Sequence, residues 1–198
     1  MRKNGSLTRQ NVIDKSLQIF SVKGYHNASI NDILDATGLT KGGFYGHFAS
    51  KEELWTAAYE KAVEIWKKIV FKGVREIADP IERIEKTIEN DLRDYIGTEV
   101  FAGGCFFFNN LVELSGQSPA LSSRILRGFE DFSRMLASWL TEADRKGMLR
   151  PGLDLKGIAD FVVISINGAA ALYSASRDPR ILRETVRQLR SYLDCLKA

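Results

Sequence analysis

The chain has 198 residues, 44% of them apolar and 27% charged, with a net charge of +3. A chain of this size and composition buries a sizeable core as one or two globular domains, which excludes disordered and fibrous classes as its main state. The charge is unevenly spread: residues 1–51 carry seven Lys or Arg against three acids, while the remainder carry 21 against 22. An excess confined to one end suits a protein that docks that end on phosphates.

In chain order, a first helix is predicted from about Thr8 to Lys23, with Ile13, Leu17 and Phe20 on one face and Gly24 as its stop. Residues 29–51 then read as two short helices joined by a tight turn, the geometry that lays a recognition helix in the major groove of DNA. Ser29 caps the first of the pair with Asp32 as its capping-box partner, and Gly38 ends it. Leu39 plugs the core between the two. Thr40 caps the second, which runs through Phe44 and Tyr45 to Phe48. Ser50 to Glu53 form another capping box, opening a long fourth helix from Lys51 to about Glu76.

Pro80, Pro119 and Pro179 each stand where a helix can begin. Ile81, Ile84, Ile88, Leu92 and Tyr95 mark a fifth helix, and a break at Gly97–Gly104 precedes a shorter one from Cys105 to Leu114. Pro119 to Gly147, Leu155 to Ser176 and Pro179 to Leu196 complete the set, and no segment has strand periodicity. The fold class is therefore all-α, with a three-helix DNA-binding domain over 1–50 and a larger helical domain over 51–198.

Two cysteines, Cys105 and Cys195, make no disulfide framework, and no Cys/His cluster has metal-ligand spacing, so no metal or cofactor is called for. No apolar h-region follows Arg2 and Lys3, and a reducing, cytoplasmic setting is the simplest reading. Ile158–Tyr173 is shorter than a bilayer needs and holds Asp160 and Asn167, so it reads as a buried helix with no membrane partner.

Phe20, Gly24, Ala28-Ser29-Ile30, Ile33, Ala36, Gly38-Leu39-Thr40, Gly42, Phe44-Tyr45, His47-Phe48, Ser50-Lys51 and Leu54 together resemble the DNA-binding domain of the TetR family of bacterial transcriptional regulators. Beyond it, the likeness lies in the helix count, the Gly104-Cys105-Phe106 to Glu113 stretch, Gly168 and Asp178-Pro179. The resemblance implies a helical ligand-binding and dimerisation domain, a homodimer on a palindromic operator, and release by a small-molecule inducer. Repression is the reading taken.

Within that frame, Lys41 at the start of the recognition helix can donate to guanine O6 and N7. Thr40 offers a hydroxyl to phosphate or a methyl to thymine, besides capping. Tyr45 and His47 match family positions that contact the DNA backbone, and Lys51 and Ser29 are placed to meet phosphate. Gly42 and Gly43 cost roughly 1 kcal/mol each relative to Ala inside a helix, which close approach of backbone to DNA would explain.

For the ligand site, Cys105, Asn109, Val112 and Glu113 share one helix face beside the aromatic residues Phe101, Phe106, Phe107, Phe108, Trp66 and Trp139. Cys105, Phe108, Asn109, Glu113 and Trp139 are the candidates. The helix dipole at Cys105 favours a thiolate, which opens a sensor role, against the plainer one of a pocket wall. The last two helices are read as the dimer interface, with Leu189 and Leu193 facing a partner and Ser165, Gly168 and Ala169 allowing close approach. No nucleophile has an evident base, so no catalytic residue is named. A helical small-molecule-binding enzyme with an accessory DNA-binding motif is the alternative, and a constitutive architectural DNA binder without a cavity is a third.

Overall fold

The computed structural model describes residues 2–198, with side chains from Thr8 onward. Among the described residues nine α-helices follow one another: α1 (Arg2–Asn27), α2 (Ile30–Thr37), α3 (Lys41–Tyr45), α4 (Lys51–Val70), α5 (Pro80–Glu89), α6 (Phe106–Leu114), α7 (Pro119–Arg145), α8 (Leu155–Ser176) and α9 (Pro179–Asp194). Among the described residues there is no strand, only one isolated bridge between Leu149 and Lys197.

Local chemistry sets most boundaries. Pro80, Pro119 and Pro179 each occupy the first turn of a helix, where the missing N–H costs nothing. Asp79 Oδ1 accepts from the Ile81 and Glu82 amides at 2.7 and 3.2 Å, and Ser50 Oγ accepts from the Glu53 amide at 3.1 Å. Gly38, at φ 72°, closes α2 in the left-handed conformation.

Four elements differ from the predicted ones, and the recognition helix is one: α3 ends at Tyr45, capped by Gly46, and does not run on to Phe48. The first helix begins at Arg2 and resumes for three residues beyond a break at Gly24, where φ is 75° and ψ −177°. The fourth ends at Val70, not Glu76, because the buried Asn90 side chain donates to Val70 O and Lys72 O at 2.9 Å each and ties off its last turn. The fifth is α-helical only to Glu89. Asn90–Ile96 is π-helical, and its i→i+5 bonding sets Asp91 and Tyr95 about one turn apart.

Phe20, Ile33, Phe44 and Phe48 are the fully buried centre of the α1–α3 unit, and α1 also packs on α4 and α6. In the larger unit α7 packs on α5 and α8, and α9 closes over α5 and α8. Leu189 and Leu193 are 3% and 0% exposed within their own chain, so they do not face a partner helix as predicted. The apolar stripe of α9 is what seals this bundle. A row of exposed apolar residues lies on α8 instead: Phe161, Ile164, Gly168 and Leu172 recur at one-turn spacing. At 22 residues α8 is long and apolar enough to cross a bilayer by length and composition, unlike the shorter segment predicted, but its other face, with Val162, Ile166, Asn167 and Ala170, is buried in the protein.

Candidate nucleic-acid interface and cavity

The helix-turn-helix is fixed by two capping arrangements. Ser29 Oγ accepts from the Asp32 amide at 3.0 Å while Asp32 Oδ2 accepts from the Ser29 amide at 2.8 Å, opening α2. Lys23 Nζ stands 2.6 Å from the same carboxylate, and its hydrogen bond, with those from Ser29, holds Asp32 down to a pKa of about 2. Thr40 Oγ1 accepts from the Gly43 amide at 3.1 Å and opens α3. Phe44 and Phe48 then anchor α3 from below, with ring centroids 6.0 Å apart.

Ser29, Thr40, Lys41, Gly42 and Tyr45 are exposed on this surface, while Gly43 and His47 are half-buried. A Cβ on Gly42 would meet nothing within 4 Å, so nothing in the chain's own packing requires glycine there. Open space on that side is what a closely approaching DNA backbone would occupy. Lys51 is placed differently from the other candidates. Its Nζ donates to Tyr25 O and Ala28 O at 2.9 and 3.0 Å and lies 4.5 Å from the Tyr25 ring centre, so the ammonium joins α4 to the end of α1 and does not reach outward. Burial lowers its pKa, with Glu113 opposing.

Helix α6 runs from this junction into the larger unit. At its C-terminal end, Glu113 Oε2 and Oε1 accept from the backbone amides of Tyr25 and His26 at 2.7 and 2.8 Å. One turn earlier, Asn110 is fully buried, accepting from Trp55 Nε1 at 3.0 Å and donating to Phe106 O at 2.8 Å. Asn109 Nδ2 donates to Gly103 O at 2.6 Å and fastens the 97–104 loop. The face shared by Asn109 and Glu113 therefore docks on α1 and that loop, not on a cavity.

The main cavity has a volume of about 700 Å³ and lies among α4, the π-helical turn, the head of α6, α7 and α8. That is within the usual range for small-molecule sites. Cys105 is the only one of the five predicted ligand-site residues that lines it; Phe108, Asn109 and Glu113 do not, and Trp139 lines a neighbouring cavity of about 440 Å³. The walls are aromatic: Trp66 makes edge contacts with Phe132 and Phe107 at centroid distances of 5.1 and 6.3 Å, and Tyr59 with Phe107 at 5.7 Å. Asp91 and Tyr95 also line it, and neither was singled out from the sequence. A signal existed for Asp91, which falls in helical register with Ile84 and Ile88 as an acid on an apolar stripe.

Asp91 accepts from Trp66 Nε1 at 3.2 Å and has no Lys or Arg within ion-pairing distance among the described residues. Burial raises its carboxyl to about 7, the Trp66 bond opposing. Burial also pushes the Cys105 thiol up to about 12, the backbone amides of Phe108 and Phe107 opposing, so enclosure overrides the dipole that favoured a thiolate.

This arrangement has known counterparts. The profile for bacterial regulatory proteins of the tetR family matches residues 12–58, and that for the tetracyclin repressor-like C-terminal domain matches residues 80–189. The chain belongs to the TetR family. It is a TetR-type, DNA-binding transcriptional regulator. The transcriptional repressor DhaR of Mycobacterium sp. strain GP1 is 27% identical over 162 residues, covering 81% of this chain and 79% of its own. ComR, a transcriptional repressor of Escherichia coli K12, is 26% identical over 167 residues, covering 81% of this chain and 76% of its own. Among solved TetR regulators, one from Chloroflexus aurantiacus J-10-FL superposes with a TM-score of 0.92 at 28% identity, covering 100% of this chain and 98% of that one.

Proposed function

We propose that this TetR-family regulator acts in the cytoplasm as a homodimeric repressor, binding a palindromic operator and leaving it when a small molecule enters the main cavity. In this reading residues 1–50 bind DNA, and residues 51–198 bind the inducer and the second subunit. The observation that carries it is α6, which lines the cavity with Phe107 and, through the adjoining Cys105, at one end and grips the α1 backbone with Glu113 at the other. A ligand that displaces the head of α6 thus moves the support of the DNA-binding unit, and a ligand that prefers the displaced state shifts the population toward it. The cavity and this linkage speak against a constitutive binder. The names of DhaR and ComR support repression.

Selection of genomic fragments on the tagged protein should recover an inverted repeat, with affinity that falls steeply as salt rises. Lys41→Ala should cost roughly 1–3 kcal/mol and relax specificity at one base pair per half-site in a randomised-site selection. An unchanged preference would remove Lys41 from base readout.

Dimerisation is assigned to the exposed face of α8. Ile164 is 68% and Leu172 63% exposed, and a Cβ on Gly168 would meet nothing within 4 Å, so a second α8 can approach closely there. Phe161, edge-on to Tyr192 with centroids 5.2 Å apart, extends the patch to α9. Ile164→Arg should therefore sediment as a folded monomer with unchanged helical circular dichroism, whereas the wild type sediments as a dimer. A dimeric Ile164→Arg protein would place the interface elsewhere.

A further inference from the structure

The chemistry of the cavity narrows what can fill it. Tyr95 is 2% exposed and its hydroxyl has no hydrogen-bond partner, although it stands beside the Cys105 sulfur and the Phe106 amide. Buried hydroxyls are rarely left unsatisfied, and this one lies closed off just behind the cavity wall, so a ligand supplies its missing partner when the head of α6 gives way. Asp91 stands one π-helical turn away on the same wall, served by a single neutral donor, the Trp66 indole. A carboxyl enclosed with no cationic partner is costly to keep, and an incoming cation would relieve that cost. The surrounding rings of Trp66, Phe107 and Phe132 offer aromatic faces that attract a positive charge and cover an apolar body. Protein cations that line the cavity stand at its mouth. Lys67 and Arg127 are exposed, and Arg124 is held by Glu60 at 2.6 Å.

Resting on the cavity being the inducer site, we propose that the ligand is a small molecule with an apolar, ring-bearing body and a protonated nitrogen, the nitrogen seated between Asp91 and Tyr95. Cys105 then serves as a wall against that body. The carboxylate takes one N–H of the ligand and the Tyr95 oxygen another, so a neutral alcohol of the same shape keeps a single donor and loses the ion pair, and an anionic analogue meets repulsion.

The test uses the full-length protein and a panel of one- and two-ring arylalkylamines, such as 2-naphthylmethylamine, each with its matched alcohol and carboxylate. Binding is read without DNA, by quenching of tryptophan fluorescence and by thermal shift. Amines should bind at least tenfold more tightly than their alcohols, and carboxylates should not bind. Asp91→Asn should abolish the preference for the amine, and Tyr95→Phe should weaken amine binding several-fold. Alcohols or carboxylates binding as well as amines, amine affinity unchanged in Asp91→Asn, or no binding by any amine would each overturn the assignment. Operator release is measured separately. Amines that bind without releasing operator would count against induction while keeping the ligand class, and release by neutral compounds alone would do the reverse.

Discussion

Replacing Gly24 by alanine should lower stability by about 2–4 kcal/mol, because two costs fall on one residue. At φ 75° and ψ −177° the Gly24 backbone lies in a region open almost only to glycine, worth about 1–3 kcal/mol of strain for any L side chain. The added Cβ would stand 2.3 Å from Glu113 Oε2 and 2.5 Å from its Cδ. The carboxylate must then leave; the half-buried Tyr25 amide loses its acceptor at about 1–3 kcal/mol, while the exposed His26 amide turns to water at little cost. Urea unfolding at fixed protein concentration measures the loss, and hydrogen exchange at Tyr25 and His26 locates it. Glu113→Ala alone should show only the second cost, so the double variant should fall short of the sum of the two. Strict additivity would mean that the carboxylate does not hold the α1 backbone at this break.

The same junction shows what the sequence can and cannot reveal. The helix-turn-helix was legible because its determinants are local: Ser29 with Asp32, Gly38, Thr40, and Ser50 with Glu53 all act within four residues. Helix starts at Pro80, Pro119 and Pro179 were legible for the same reason. Periodicity also grouped Asn109 with Glu113 on one face of α6, correctly as a face. It could not say what that face meets, since tertiary packing decides that and turns it toward Gly103 and the α1 backbone. Lys51 went astray in the same way: its place at the head of α4 was clear, but two carbonyls 26 and 23 residues upstream claim its ammonium. The leucine stripe of α9 was real, yet a stripe looks the same whether it packs on its own bundle or on another subunit. Asp91 and Tyr95 stand in helical register with Ile84 and Ile88, so periodicity puts them on the buried face; it could not say that this face borders a cavity and not packed core, which the packing of α4, α7 and α8 decides.

Asp91→Asn should stabilise the unliganded protein by about 4 kcal/mol at pH 8 and by less than half of that at pH 5. The sign follows from the direction of the shift. An ordinary aspartate titrates near 3.8, and burial raises Asp91 to about 7, so between those values the folded protein holds a proton that the unfolded chain has released. Stability linked to Asp91 is therefore retained below pH 4, declines as pH rises through this window, and is fully lost above pH 7. The groups around the carboxyl do not offset this: the Trp66 indole is neutral, and Tyr95 and Cys105 are kept protonated at these pH values by burial. Asparagine keeps an oxygen for the Trp66 N–H and does not titrate, so the two proteins should converge toward pH 4 and separate above pH 6. Urea midpoints of both proteins at matched concentration across pH 4–8 provide the measurement, and parallel profiles would show that Asp91 carries no raised pKa. A carboxyl kept buried in the wall of an aromatic cavity at such a cost is the kind of locally unfavourable group that proteins retain for function, and the variant that removes the cost is the same one that should lose the amine.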